Sequence, residues 1–318
     1  MQESLKTLLK VAVDDASVFP PAAMDLTGAM LAHARIARSD TGWMLGRFVV
    51  PVARLPESKS LAQEISLGED AVWRISVILG GGDNEVDVLG RIRTDGDIMA
   101  TVRARGSGPR FFSVEAVEAR LPRDVQATMK PERARSFCVR CVEALEDAVP
   151  SSVDFFVEGS AEDDSEEADR MLVEGLAEVG GSARFGAKIR CGGTQPESFP
   201  SVDRVARMLV LCARHGVPLK ATGGLHVPFR RMVGEQWHHG FVNLLVAAAL
   251  LQGNVLEDGE VAECVGEKDP KAFSFGPDAA SWRGRRAPAA LLAKARKQLL
   301  VVFGTAFPLR VAEGVESL

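Results

Sequence analysis

Short apolar segments that alternate with helical segments are the feature that most constrains the fold of this chain. They predict strands at residues 48–52, 73–79, 111–117, 153–158, 187–190, 219–222, 272–275 and 301–303. Segments with the apolar spacing of helices separate most of these strands, and such alternation indicates a parallel sheet. Eight repeats favour closure into an α/β fold, a (β/α)8 TIM-type barrel. A doubly wound open sheet is the alternative.

The first part of the chain differs from this pattern, because the apolar residues of 1–46 follow mostly helical spacing. We therefore expect an N-terminal helical segment at 1–46 that packs on a catalytic barrel at 47–318. Asp14 and Asp15 lie in this segment, ahead of a Pro-Pro pair that would stop a helix. The two aspartates are expected either to cap a helix or to face a pocket.

The charge and hydropathy of the chain exclude several classes of partner. The net charge is −5, so no overall positive field favours nucleic acid. No apolar run reaches the roughly 18–20 residues that span a bilayer, so we expect no membrane partner either. The amino terminus lacks the pattern of a signal peptide, and five cysteines, an odd number, are typical of reduced thiols. These observations predict a cytoplasmic protein; homo-oligomerisation is left open.

Two lysines in neighbouring strands mark the predicted site. Lys188 and Lys220 each lie in a short apolar strand that is followed by Gly-Gly, and a helical segment at 201–215 joins the strands. A strand–helix–strand unit of this length predicts adjacent parallel strands. Because an unpaired lysine is costly to bury, two of them indicate a site at the carboxyl ends of the strands, where barrel sites lie.

Side chains two residues apart on a strand share a face, which places Arg190 with Lys188 and Thr222 with Lys220. Helices cover the outer face of a barrel, so these four side chains are expected to point into its mouth. The excess of positive charge there predicts a small anionic metabolite, bearing phosphate or carboxylate, as the ligand.

Two carboxylates of the strand at 153–158 complete the predicted chemistry, with Glu158 in the mouth and Asp154 deeper. A lysine crowded by cations and apolar walls has a lowered pKa, and a neutral amine can attack a carbonyl to form a Schiff base. A neighbouring carboxylate would then transfer protons. The alternative is that Lys188 and Lys220 pair with these carboxylates as an internal ion network.

The loops near the ends of the last strands supply candidates for anion binding. Gly304 and Thr305 follow the final strand, and Arg285 lies in a basic loop after the strand at 272–275. An arginine there is suited to clamping a phosphate or carboxylate. His226 follows the strand at 219–222 and is predicted to be a mouth residue that forms hydrogen bonds or shuttles protons.

Histidines also suggest a rival chemistry. His226, His238 and His239 could form a divalent metal site together with Glu158 or Asp15. The spacing of the histidines matches no established metal signature, so we predict neither a metal nor another cofactor.

Several short motifs resemble those of one enzyme family. The sequence Lys-Ala-Thr-Gly-Gly-Leu at 220–225 resembles the Schiff-base signature of deoxyribose-phosphate aldolase and related class I aldolases. Residues 153–157 and 187–190 are similar to two preceding strands of that family, and 302–305 resembles its phosphate loop. The resemblance implies that Lys220 is the Schiff-base nucleophile. The family also carries a second active-site lysine on the following strand, and the predicted strand at 272–275 has none.

The predicted function is therefore that of an aldolase-type lyase, which acts on a small phosphorylated or carboxylated carbonyl compound. Lys188 would lower the pKa of Lys220, and Asp154 or Glu158 would transfer protons. Two alternatives remain: a metal-assisted or cation-assisted enolising isomerase or lyase, and a non-catalytic barrel that binds an anionic metabolite.

Overall fold

A closed barrel of eight parallel strands forms the centre of the computed structural model, which describes residues 2–69, 71–104, 111–150, 152–159, 165–180, 184–316 and 318. The barrel confirms the predicted fold class. Its strands, in order around the barrel, are β1 (Val13–Asp15), β2 (Leu45–Pro51), β3 (Trp73–Ile78), β4 (Phe112–Arg120), β5 (Asp154–Glu158), β6 (Arg184–Arg190), β7 (Leu219–Thr222) and β13 (Leu300–Thr305).

Helices connect the strands and cover the outer face of the barrel. They are α1 (Glu3–Leu9), α2 (Leu26–Ala37), α3 (Leu55–Glu64), α4 (Glu85–Ala104), α5 (Arg123–Gln126), α6 (Pro131–Leu145), α7 (Glu166–Ala177), α8 (Val202–His215), α9 (Phe241–Gln252), α10 (Asp258–Gly266), α11 (Ala289–Gln298) and α12 (Pro308–Glu316). Helix α8 shows how local sequence sets their ends. The Ser201 side chain accepts a hydrogen bond from the backbone N–H of Arg204 at its start, and Gly216 ends it in the left-handed region at φ +66°. No helix in the described part of the chain is long and apolar enough to cross a membrane.

The N-terminal segment supplies the first barrel strand, which corrects the expectation that 1–46 only packs against the barrel. Strand β1 pairs in parallel with both β13 and β2 and so closes the barrel. Its sequence, Val-Asp-Asp, lacks the apolar pattern of a buried strand. It is stable here because Asp14 faces an ammonium group inside the barrel, while Asp15 pairs with His33 of α2 at 3.0 Å.

The segment predicted as the seventh barrel strand lies outside the barrel. Strand β10 (Phe273–Phe275) pairs antiparallel with β11 (Ala279–Trp282), which pairs with β12 (Arg285–Pro288). The prediction of a barrel strand at 272–275 was therefore wrong, because antiparallel neighbours close in sequence satisfy its backbone groups instead. A further hairpin, β8 (Arg231–Val233) and β9 (Gln236–His238), follows β7.

Apolar side chains fill two separate regions. The larger core lies between the barrel and its helices and includes Phe48 and Trp73. A small second cluster consists of Ala116, Phe156 and Val302, which occupy inward-facing positions on β4, β5 and β13. These three side chains form a small apolar cluster inside the barrel, and the centre of the Phe156 ring lies 5.7 Å from Lys220 Nζ.

Candidate functional site

Lys188 and Lys220 are direct lateral partners on β6 and β7, and Glu158 is the lateral partner of Lys188 on β5. Side chains of lateral partners in a parallel sheet point to the same face. All three side chains are buried inside the barrel. The alternation of side chains along the strands therefore brings these predicted residues together.

Each lysine binds two carboxylates. Lys220 Nζ lies 2.5 Å from Asp14 Oδ2 and 2.7 Å from Glu118 Oε1, and Lys188 Nζ lies 2.8 Å from Glu118 Oε2 and 2.9 Å from Glu158 Oε2. The charges thus alternate around the interior in the order Asp14, Lys220, Glu118, Lys188, Glu158. We call these five residues the lysine–carboxylate cluster.

Further donors complete the hydrogen bonding of the three carboxylates. Ser76 Oγ donates to Glu118 at 2.6 Å, and the backbone N–H of Arg47 donates to Asp14 at 2.7 Å. Arg190 Nη2 lies 3.0 Å from Glu158, with its own side chain 44% exposed at the carboxyl end of β6. Buried charges need such partners, and the cluster provides them for both signs.

Contacts within the cluster favour the charged forms of Lys188, Glu118 and Glu158. Burial lowers the pKa of Lys188, but the adjacent Glu118 and Glu158 outweigh burial, so its pKa is raised. Burial raises the pKa values of Glu118 and Glu158, but the neighbouring cations outweigh it and leave both pKa values lowered. The expectation that cations crowd the lysines and lower their pKa was therefore wrong for Lys188, whose immediate neighbours are carboxylates.

Asp154 was predicted to lie deeper than the mouth and to transfer protons to the lysines, but its partners are arginines, which corrects that role. It is the first residue of β5, at the amino-terminal end of the barrel. Its carboxylate accepts hydrogen bonds from Arg184 Nε at 2.8 Å and Arg47 Nη2 at 2.5 Å. Two guanidinium groups at that end hold it, and neither lysine of the cluster does.

Two pairs of predicted mouth residues lie at the carboxyl end of the strands. His226 Nδ1 and Thr305 Oγ1 share a hydrogen bond of 2.6 Å. Thr222 is the lateral partner of Gly304, and a side chain at Gly304 would lie 2.9 Å from Thr222 Oγ1. Burial lowers the pKa of His226 to about 4, so its imidazole is neutral at physiological pH.

Two other predictions find no support in this geometry. Arg285 lies on β12, outside the barrel, and forms an ion pair with Glu260 of α10, so it is not a mouth residue. Asp15 pairs with His33 of α2 at 3.0 Å. Among the described residues, no group of three or more His, Cys, Asp or Glu side chains is arranged to hold a metal ion.

Sequence reasoning missed Glu118, and it named Asp14 only as a residue that caps a helix or faces a pocket. The signal for Glu118 was present, because it follows Ala116 by two residues on a strand that continues to Arg120, beyond the predicted end at residue 117. For Asp14 the signal was a charged pair next to a single valine, which is too short to predict a strand.

Access to the cluster is narrow and lies on the Lys188 side. Lys220 is 1% exposed and Lys188 is 7% exposed. A small cavity of ≈ 20 Å³ adjoins Lys188, Glu158 and Arg190. Of the two lysines, Lys188 is the one that lines this cavity.

Comparison with known proteins adds little to this description. No protein family and no curated protein matches the chain. One solved structure, described as an aldolase, is 12% identical to this chain with a TM-score of 0.45, and covers 68% of this chain and 81% of that one. Similarity at this level carries no conclusion about activity. The chain's own residues define a (β/α)8 barrel with a buried lysine–carboxylate cluster.

Proposed function

We propose that this protein is a lyase of the class I aldolase type, in which Lys188 forms a Schiff base with a small phosphorylated or carboxylated carbonyl compound. The observation that carries the proposal is the position of Lys188. It adjoins a small cavity between the carboxyl ends of β5 and β6 and helices α7 and α8, and it lies between two carboxylates that can accept its proton.

The order of the barrel strands favours Lys188 over Lys220 as the nucleophile. In the aldolases that the sequence resembles, a second active-site lysine lies on the strand after the Schiff-base lysine. The barrel strand after β7 is β13, which carries no lysine, whereas the strand after β6 is β7, which carries Lys220. Lys188 with Lys220 beside it fits that arrangement, and the reverse assignment does not.

The carboxylates around Lys188 provide the proton transfers that the chemistry needs. Attack on a carbonyl requires the neutral amine, so the ammonium proton of Lys188 would pass to Glu158 or Glu118. The same proton would return to the carbinolamine hydroxyl, which leaves as water while the C=N bond forms. Lys220, held by Asp14 and Glu118, would keep a positive charge beside the developing carbanion.

The mouth residues supply a place for the anionic group of the substrate. The half-exposed Arg190 lies at the carboxyl end of β6, and Gly304 and Thr222 lie side by side at the ends of β13 and β7. Guanidinium groups bind phosphate and carboxylate with charge-assisted hydrogen bonds. His226 would contribute as a neutral hydrogen-bonding group.

Borohydride trapping tests the proposal. Purified protein would be incubated with a panel of small aldehydes and ketones that bear phosphate or carboxylate, reduced, and mapped by peptide mass spectrometry. We expect an adduct on Lys188, lost in Lys188→Arg and retained in Lys220→Arg. An adduct on Lys220 alone would overturn the assignment of the nucleophile, and the absence of any adduct across the panel would overturn the Schiff-base mechanism.

One observation favours a second candidate function, in which the lysines act without a covalent bond. Both ammonium groups are ion-paired inside the barrel, and the raised pKa of Lys188 disfavours the neutral amine. Two fixed cations could stabilise the enolate of an isomerase or lyase. Exchange of substrate C–H protons with deuterated solvent, without borohydride inactivation and without loss of activity in chelator, would identify this mechanism.

A further inference from the structure

A basic cavity lies at the amino-terminal end of the barrel, opposite the mouth. It has a volume of ≈ 230 Å³. Five cationic side chains line it: Arg47, Arg74, Arg184, Arg296 and Lys297. We call it the basal arginine cavity. These five cations come from four elements: β2, β3 and β6 each supply one arginine, and the end of α11 supplies Arg296 and Lys297.

The carboxylates near this cavity do not balance its positive charge. Asp154 is shared between Arg47 and Arg184, and Glu115 is shared between Arg47 and Arg74, with closest N–O distances of 2.5, 2.8, 3.6 and 2.8 Å. Asp14 also reaches the cavity, but its carboxylate is the partner of Lys220. Besides Asp14, the two carboxylates of Asp154 and Glu115 thus pair with three of the five cations.

Arg296 is the cation whose surroundings most clearly lack an anion. Its Nη1 and Nη2 donate to the backbone carbonyls of Leu300 and Val11, at 2.6 and 3.4 Å. Its Nε is buried and has no hydrogen-bond partner among the described residues. Burial lowers the pKa of this guanidinium to about 10, with Asp14 as the opposing influence. An anion in the cavity would offset the cost of burying this charge.

The cavity touches the lysine–carboxylate cluster at one residue, Asp14. Val302, which belongs to the apolar cluster with Ala116 and Phe156 inside the barrel, also lines the cavity. Phe156 lies beneath Lys220, whose Nζ is 5.7 Å from the centre of the ring. A ligand in the cavity would therefore act on the cluster through Asp14, which lines the cavity and binds Lys220.

We propose that the basal arginine cavity binds a small, multiply charged oxyanion, which bears either a phosphoryl group or two carboxylates. The planar guanidinium group donates paired hydrogen bonds that match both kinds of oxyanion. The volume far exceeds the roughly 10–15 Å³ that one water molecule needs, so a phosphate ion fits. The proposal does not depend on the Schiff-base chemistry above.

Isothermal titration and thermal unfolding of the full chain test this proposal, with inorganic phosphate and succinate as probes and sodium chloride at matched ionic strength as the reference. We expect at least one probe to bind and to raise the melting temperature. Arg296→Gln and Arg74→Gln should each weaken its Kd at least tenfold. Lys294→Gln, which removes an exposed charge from the same helix as Arg296, should leave the Kd unchanged.

The variants also locate the site. Arg74 is partly exposed, so Arg74→Gln decides the question even if Arg296→Gln fails to fold. Binding of only phosphate or only succinate identifies the group recognised and supports the proposal in either case. The proposal is overturned if neither probe binds, if Arg74→Gln binds as tightly as the wild type, or if Arg190→Gln abolishes binding, which would place the anion at the mouth.

Discussion

Lys188 and Lys220 stand side by side on β6 and β7, and each binds a different oxygen of the same carboxylate, Glu118, at 2.8 and 2.7 Å. Two ammonium groups this close repel each other in a buried site. Glu118 offsets the repulsion because it lies between them, while Asp14 and Glu158 hold the outer side of each lysine. The stability of the barrel interior and the chemistry of the site thus depend on the same carboxylate.

Replacement of Glu118 by glutamine is expected to lower the free energy of unfolding by about 3–5 kcal/mol, because removal of one partner from a buried ion network leaves uncompensated charge. Denaturant titration measures the change. Glu57→Gln is the control, since Glu57 pairs with Arg54 on the exposed surface, and its unfolding midpoint should not move. A wild-type midpoint for E118Q would contradict the role assigned to Glu118.

The neutral His226 should make stability depend on pH. Its folded pKa is about 4, whereas an unfolded histidine titrates near 6.5, so between these values the unfolded chain binds more protons. The contribution of His226 to stability is present above pH 6.5 and is lost as the pH falls toward 4, by about 3 kcal/mol. His226→Gln should flatten the stability curve in this window by that amount. The exposed His215, changed to glutamine, should leave the slope as it is in the wild type.

Gly186 leaves room for the ring of Phe156 in the apolar cluster inside the barrel. A Cβ at Gly186 would lie 2.8 Å from two ring carbons of Phe156 and 2.8 Å from the carbonyl oxygen of Pro218. Gly186→Ala is therefore expected to destabilise the protein by about 1–3 kcal/mol through overpacking. Gly90→Ala on the exposed face of α4, where nothing lies within 4 Å, should instead stabilise it by about 0.5–1 kcal/mol. Equal effects of the two substitutions would contradict this account of Phe156.

The cysteines should be inert in the folded protein. All five are buried free thiols, and burial raises the pKa of Cys138 and Cys191 to about 12. The reactive thiolate is therefore scarce and inaccessible at neutral pH. We expect a thiol reagent such as Ellman's reagent to label none of them in native protein and all five in denaturant. Rapid labelling of native protein would show that one of these sites opens locally.

The sequence predicted the barrel well because most of its strands are apolar runs between amphipathic helices. It failed at two places, and each failure has a cause. Strand β1 is three residues long and carries two aspartates, so no local pattern distinguishes it from a turn. Strand β10 has the apolar pattern of a barrel strand, but its partners are antiparallel. Local periodicity identifies a strand without identifying its neighbours.

The candidate site was predicted only in part, because local periodicity shows which side chains of one strand share a face but not which strands are neighbours. The alternation of side chains along β5, β6 and β7 was sufficient to place Glu158, Lys188 and Lys220 together. It could not place Asp14 and Glu118 beside the lysines, because these two residues come from strands that are far from β6 and β7 in sequence. Nor could it show that Asp154 pairs with arginines of β2 and β6 and not with the lysines.

The sequence by itself thus determined an alternation of strands and helices that favours an α/β barrel. It also determined that two lysines face the interior of the sheet, since that follows from periodicity along single strands. Only the tertiary structure decided which charges surround the lysines. Closure of the barrel brings the carboxylates of β1, β4 and β5 to within hydrogen-bond distance of Lys188 and Lys220. Electrostatic energy depends on distance through space, and distances between remote strands exist only in the folded chain.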